Sequence, residues 1–402
     1  MRTKQGKPRI ALALLGCAAP NQVGGAERQF ANLLTAYRAR KNAPFELHFA
    51  TMRDAARSLE ALGVLSPGPD VHTAPNPPAW KLGAIADSLS LARLLYGRRF
   101  DLVHVIMPSA FHTPGLGLYA RLRGHTALTM NATDCTVAHR WHDPAFVRDP
   151  QVRSYKTFLR LVPLDGIFSW YTLFRDKVQS GVIPVPGAPL VTAAKTCFTD
   201  LSRFAPAPDK DNTIVYASRL VPNKKPQLFA EAVRLLRDTA PQALEGWTFQ
   251  LFGNGPLLSE LEQYSARHGL GNLLQIGFTP DLAPTLARSK AFVSTQDYEN
   301  FTSLSMLEAM ASGNAILARD VGQTAQFVRH GENGMLLQGD SPQDLAQAMG
   351  EFIAHPERHR SWGQESVRLA TEVHTVKAFT ADIEAFWTEV LARCAKARRT
   401  TT

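Results

Sequence analysis

Residues 298–313 read Tyr298-Glu299-Asn300-Phe301-Thr302-Ser303-Leu304-Ser305-Met306-Leu307-Glu308-Ala309-Met310-Ala311-Ser312-Gly313 and follow the apolar run Ala291–Thr295. The run fits a buried strand, the polar stretch a loop offering amides and hydroxyls, and the remainder a helix capped by Thr302 or Ser303. Glu308 falls in the first two turns of that helix. A carboxylate there can accept hydrogen bonds from a ribose diol while the loop amides hold phosphate or sugar oxygens. Beside the positive end of the helix dipole it would also serve as a plain stabilising acid.

The same strand, loop and helix order repeats outward from this stretch. Thr213–Ala217, Trp247–Phe252, Leu273–Gly277, Ala315–Ala318 and Met335–Gln338 read as strands, each leading into a loop. After the first comes Ser218-Arg219-Leu220-Val221-Pro222-Asn223-Lys224, with Pro226 placed for a first helical position. A guanidinium and an ammonium at one strand end suit a diphosphate, the first as a fork and the second as a point charge. After the second comes Gly253-Asn254-Gly255-Pro256, whose glycines let backbone approach a ligand at a helix N-terminus. Leu258 stands where a dinucleotide fingerprint needs its third glycine, so that motif is absent. Asp320-Val321-Gly322-Gln323 and the turn His330-Gly331-Glu332-Asn333-Gly334 complete the series.

Toward the N-terminus the apolar runs Arg9–Gly16, Phe45–Thr51, Asp101–Pro108, Thr126–Thr133 and Gly166–Trp170 alternate with helical patterns, as in Ala26–Arg38. The length of 402 residues allows two or three domains at ~150 residues each. The alternation predicts an α/β chain with mostly parallel sheets. The Pro-rich and charged stretch Leu201–Asn212 separates a first domain, 1–200, from a second, 201–374. A last amphipathic helix within 375–402 carries Val376, Phe379, Ile383, Phe386 and Val390 on one stripe and is expected to cross back onto the first domain. The basic start and Leu14-Leu15-Gly16-Cys17 imitate a lipoprotein signal, but a first strand running into the loop Val23-Gly24-Gly25-Ala26 reads the same way and is preferred.

The ordered series of clusters resembles the GT-B glycosyltransferases, specifically the retaining family 4, whose pattern runs G-R-L-x-x-x-K, G-x-G-P, E-x7-E with A-M-A-x-G, D-x-G-G and H-G-x-N-G. The resemblance spans nearly the whole chain. It implies two Rossmann-like domains facing across a cleft and transfer of a sugar from a UDP- or GDP-sugar to a glycan or lipid-linked acceptor, in surface polysaccharide or lipopolysaccharide assembly. It further implies that Arg219 and Lys224 bind the donor diphosphate, Glu308 the ribose, and the amides of Thr302, Ser303 and Leu304 phosphate or sugar. Gly24 and Gly25 would lie near the donor phosphates, Gly253 in the donor site, and the segment at Phe278 beside the base.

Ser218 stands where the family usually has glycine, a minor change, and two further positions depart from that pattern. Asn300 stands eight residues before Glu308 and Glu299 nine, so either the amide replaces the first acid or the loop holds an extra residue and Glu299 serves. In the first domain Asn131 occupies the usual position of a sugar-contacting histidine, leaving Asp134, His112 and His139 as neighbouring alternatives. Cys135, His139, His142 and Asp143 match no zinc spacing, and Asp209-Lys210-Asp211 lies in the linker, so no metal and no cofactor beyond the nucleotide-sugar co-substrate is expected.

The formal charge of +9 is uneven: 24 basic against 13 acidic residues in 1–200, and 20 against 22 in 201–402. With no aromatic recognition module, nucleic acid is not expected. The excess favours an anionic membrane face or a phosphate-bearing acceptor, and a cytoplasmic protein peripheral to the membrane. Two alternatives share the fold: a non-catalytic nucleotide-sugar binder, and a synthase or epimerase with a soluble acceptor.

Overall fold

The computed structural model describes residues 6–14, 25–77, 83–106, 113–132, 135–143, 149–301 and 303–401. The chain forms two units: Met1–Lys195 with Phe379–Thr402, and Thr196–Ala378.

The first unit is built on seven strands: β1 (Arg9–Leu14), β2 (Glu46–Met52), β3 (Val71–Ala74), β4 (Leu102–Ile106), β5 (Ala127–Ala132), β6 (Gly166–Ser169) and β7 (Leu190–Ala193). All pair in parallel, in the order β3-β2-β1-β4-β5-β6-β7. Helices cover both faces, so the central strands read as unbroken apolar runs: Ile10–Leu14 and Leu102–Ile106 are buried at every residue. The two four-residue strands at the sheet edges, β3 and β7, escape the sequence reading. Val71-His72-Thr73-Ala74 and Leu190-Val191-Thr192-Ala193 lie close to prolines and are too short for a periodicity to register.

The last helix, Val376–Thr401, packs on this first sheet as expected. Phe379, Ile383, Phe386, Trp387 and Val390 are buried, with the Phe386 ring 5.4 Å from Phe168 and Phe379 6.4 Å from Phe30. Gly166 makes room for the helix, since a Cβ there would stand 2.7 Å from Val390. Inside this aromatic layer His104 is fully buried, its Nδ1 2.8 Å from Thr129 Oγ1. Burial lowers the imidazole from 6.5 to about 3, so the folded protein holds it neutral.

A pH dependence follows. The unfolded chain takes up this proton more readily than the folded one, so the stability is fully present above pH 6.5 and is lost as pH falls toward 3. Between pH 6.5 and 5 His104 alone removes about 2 kcal/mol. Urea unfolding of His104→Gln at those two pH values is expected to show a fall smaller by roughly that amount than in wild type. An identical fall in both proteins would contradict a neutral buried ring.

The second unit holds six parallel strands: β8 (Asp211–Ala217), β9 (Thr248–Phe252), β10 (Leu274–Gly277), β11 (Ser289–Ser294), β12 (Ala315–Arg319) and β13 (Gly334–Leu337), in the order β10-β9-β8-β11-β12-β13. The core joins Tyr216, Phe249 and Leu317 of the sheet to Phe229, Phe352 and Trp362 of the covering helices. Pro226 opens the helix Pro226–Thr239 at its first residue, where a missing N–H costs nothing. The stretch before β8 packs on this unit: Ala207 N–H donates to Ala287 O at 3.0 Å, and the half-buried Lys210 ammonium donates to the carbonyls of Ser289 and Ser312 at 2.6 and 2.7 Å. Asp211 in turn is held by Arg288 at 2.8 Å, so Lys210 and Asp211 tie this stretch to the unit. Among the described residues no helix is long and apolar enough to cross a membrane.

Candidate active site

In both sheets the strand order reverses once, between β1 and β4 and between β8 and β11. Ligands of open parallel sheets bind outside the carboxyl ends of the strands at such a point. In the second unit the loops after β8 and β11 flank it, and these are the loops carrying Arg219, Lys224, Glu299 and Asn300.

Hydrogen bonds tie these loops into one web. Asp297 N–H donates to Asn223 O at 3.0 Å, and the Lys224 ammonium donates to Gln296 Oε1. The Lys224 carbonyl accepts from Tyr216 Oη at 2.9 Å and Thr295 Oγ1 at 2.8 Å, which fixes the turn Pro222–Lys224 over the strand ends. Next to it Lys225 sits at φ +46°, a left-handed conformation that costs a non-glycine residue ~1 kcal/mol. Its ammonium is held by Asp297 at 2.5 Å and Asp340 at 3.1 Å. Of the two adjacent lysines, Lys225 is thus held by two carboxylates, and Lys224 reaches the side chain of Gln296.

Arg219 is exposed and forms no ion pair with a described residue. Sequence reading missed a third cation, Arg319, at the end of β12. It donates to Gln296 O at 3.0 Å and lies 3.4 Å from Asp297 and 3.6 Å from Asp340. Its task is to hold the loop after β11. The available signal was a charged residue closing the apolar run Ala315–Ala318.

Glu299 and Asn300 point inward. The Glu299 carboxylate is buried and accepts from the backbone N–H of Phe301 and of Gln323, both at 2.8 Å, so it bridges the loops after β11 and β12. Burial raises its pKa, and the amide bonds pull against that. Gly322 has φ +55°, and a Cβ there would stand 2.2 Å from Glu299 Oε2, so glycine is required twice over. Asn300 accepts from Ser294 Oγ at 2.5 Å and donates to Thr324 Oγ1 at 2.8 Å and Arg319 O at 3.3 Å. Both ends of its amide are thus engaged within the unit.

The helix Leu304–Ala311 begins just beyond this bridge. Ser303 holds the N-cap position, but its side chain makes no capping bond, contrary to the expected cap. The first-turn amides thus receive no acceptor from that side chain, which suits an anion. Leu304 is the first helical residue and Glu308 the fifth, half-buried. Gly253 follows β9 where a Cβ would stand 1.9 Å from Ser218 O, so its first requirement is contact between neighbouring loops. Phe278 follows β10 and is 66% exposed, an unusual place for an aromatic ring.

In the first unit Asn131 is the penultimate residue of β5, fully buried, and neither Oδ1 nor Nδ2 has a partner among the described residues. Such orphaned polar ends are rare in folded proteins. His139 closes the short helix Cys135–His139 and is half-buried. Gly25 opens the helix Gly25–Arg38, while Gly24, His112, Asp134 and Thr302 lie outside the described residues.

Comparisons with known proteins agree with this arrangement. The family model described as glycosyl transferases group 1 matches residues 211–355. An exopolysaccharide phosphotransferase of Streptomyces coelicolor is 31% identical over 195 residues, 46% of this chain and 20% of that protein. A D-inositol 3-phosphate glycosyltransferase of Nocardia farcinica is 30% identical over 221 residues, 50% of this chain and 45% of that one. The chain thus spans less than half the length of either relative. Among solved structures, sucrose-phosphate synthase of Thermosynechococcus elongatus superposes with a TM-score of 0.71 at 16% identity, covering 96% of this chain and 100% of the other. HepE of Anabaena in complex with UDP and glucose gives 0.70 at 17% identity, covering 94% and 99%. Residues 211–355 of the second unit are thus similar to the glycosyl transferases group 1 family, and the chain as a whole shares the GT-B fold of these solved structures.

Proposed function

We propose that this protein is a retaining glycosyltransferase of family 4 that moves a sugar from a UDP- or GDP-sugar to a glycan or lipid-linked acceptor in surface polysaccharide assembly. The observation that carries the reading is the distribution of cations at the β8 and β11 strand ends. Arg219 is exposed without an ion pair to a described residue, the Lys224 ammonium donates to Gln296 Oε1, and Lys225 and Arg319 meet Asp297 and Asp340 at the same strand ends. An anion with two phosphates fits Arg219 and Lys224.

In this reading Arg219, Lys224 and the first-turn amides at Leu304 stabilise the charge that develops on the departing diphosphate, so no metal is required. Glu308 accepts from the ribose hydroxyls, and the exposed Phe278 ring lies against the base. The leaving phosphate takes the acceptor proton on the face from which it departs, so the anomeric configuration is retained. Glu299 acts through backbone, holding Phe301 and Gln323 in place. The orphaned amide of Asn131 offers one donor and one acceptor to a sugar or acceptor hydroxyl.

The test is release of nucleoside diphosphate from UDP-, GDP- and ADP-sugars with lipid-linked acceptors present. Turnover of one donor, lost in Glu308→Ala, is the expected result. Binding of a nucleotide sugar without turnover across a broad acceptor panel would instead support the non-catalytic alternative.

A further inference from the structure

The first unit carries an exposed face that the sugar chemistry does not use. Helices Gly83–Arg98 and Thr113–Leu122 cross in direct contact: a Cβ on Gly115 would stand 2.2 Å from the Ser88 carbonyl carbon, and Gly115 N–H donates to Ser88 Oγ at 3.1 Å. Their outer stripes therefore form one surface. On the first helix the stripe is Leu89, Arg93 and Tyr96, at helical spacing, and on the second it is Leu118, Arg121 and Leu122.

Leu89, Tyr96, Leu118 and Leu122 are 41, 58, 47 and 55% exposed, half of the eight large hydrophobic residues exposed among the described ones. Apolar side chains scattered singly need no explanation, but a cluster on one face marks a contact surface.

Charge identifies what lies against it. Residues 88–99 and 113–126 contain five arginines and no aspartate or glutamate. Arg123 turns to Asp165 at 2.5 Å, whereas Arg93, Arg98, Arg99 and Arg121 are exposed and form no ion pair with a described residue. Beside Leu89 a shallow, open hollow is lined by Pro75, Arg93 and Arg98, which puts two arginines at its wall. A second copy meeting this face symmetrically would bring the arginine clusters together, which opposes a dimer.

We propose that this two-helix face rests on an anionic bilayer, its leucines and tyrosine entering the headgroup boundary and its arginines pairing with lipid phosphates. The assignment deepens the lipid-linked reading of the acceptor and rests on it.

The experiment is sedimentation of the full chain with vesicles of phosphatidylglycerol mixed with phosphatidylcholine, and with phosphatidylcholine alone. Wild type is expected to bind the anionic vesicles and to be released by high salt. One arginine at the bilayer surface strengthens binding about fivefold, so Arg93→Glu with Arg121→Glu should weaken it at least ~25-fold. Leu118→Ser with Leu122→Ser, at unchanged charge, should weaken it about tenfold. All four side chains are exposed, so both variants keep the wild-type melting temperature. No binding of wild type to anionic vesicles, or equal binding by wild type and both variants, overturns the assignment. So does a wild-type dimer that these variants dissociate. Nucleotide-sugar binding measured on the same preparations separates the two readings: its presence without vesicle binding removes the membrane face alone, and its absence with vesicle binding intact removes the donor reading alone.

Discussion

Lys224→Ala is expected to lower turnover of the nucleotide-sugar donor by ~10²–10³-fold, and Arg219→Ala by a similar factor, the usual effect of removing one preorganised charge from a site where negative charge develops. Neither change should alter stability by more than about 1 kcal/mol, because Arg219 is exposed and Lys224 is only half-buried. The two cations differ in geometry, which gives a finer expectation. Arg219→Lys keeps the charge but loses the fork that can bind two phosphate oxygens, so it should recover part of the rate that Arg219→Ala removes. Initial rates of diphosphate release, with melting temperatures alongside, check this. Wild-type rates in Lys224→Ala and Arg219→Ala would remove both residues from the chemistry. Lys225→Ala provides a contrast: it leaves Asp297 and Asp340 with Arg319 as their remaining cation, so the added negative charge beside the site should weaken donor binding by repulsion, by less than loss of Lys224.

The second large effect is on stability. Glu299→Ala removes the acceptor of two buried amides, at Phe301 and Gln323, and is expected to cost ~2–4 kcal/mol. Gly322→Ala should cost a comparable amount, since its φ of +55° and the 2.2 Å approach to Glu299 Oε2 both oppose a methyl group. The two residues share one contact, so their effects should not add. With the Glu299 carboxylate gone, Gly322→Ala keeps only its backbone penalty of ~1 kcal/mol, and a double-mutant cycle by urea unfolding should show a coupling of at least ~1 kcal/mol. Additive effects would mean that the carboxylate does not latch the two loops. The pH dependence has a definite sign as well. The Glu299 pKa is raised above 4.5, so this group favours the folded state most below pH 4.5, and that contribution fades as pH rises through its folded value.

Sequence alone located the six strands of the second unit and five of the seven in the first, because buried parallel strands are unbroken apolar runs. It also placed the loops carrying Arg219, Lys224, Glu299 and Asn300 on strand ends, since each cluster directly follows such a run. It could not decide between neighbours. Lys224 and Lys225 are chemically identical on paper, and only the backbone turn and the carboxylates of Asp297 and Asp340 tell them apart. The spacing ambiguity of Glu299 and Asn300 has a comparable origin. A one-residue difference in a loop changes which side chain turns inward, and here both do, one to backbone amides and the other to Ser294 and Thr324. Gly253 reads as a glycine making room for a ligand, whereas it is first required by a neighbouring loop. Contacts across a hundred residues of sequence, such as Lys225 with Asp340, leave no local trace to read.

Everything proposed for catalysis depends on the strand-end loops of the second unit binding the diphosphate of a nucleotide sugar. The decisive measurement is the melting temperature of the wild-type chain and of the Arg219→Ala, Lys224→Ala double variant across a panel of UDP-, GDP- and ADP-sugars. A ligand at a hundred times its Kd stabilises the folded state by about 2.7 kcal/mol. Wild type is expected to shift clearly upward with one class of nucleotide sugar, and the double variant not at all. No shift with any of the three classes, or an equal shift in both proteins, would contradict diphosphate binding at these loops.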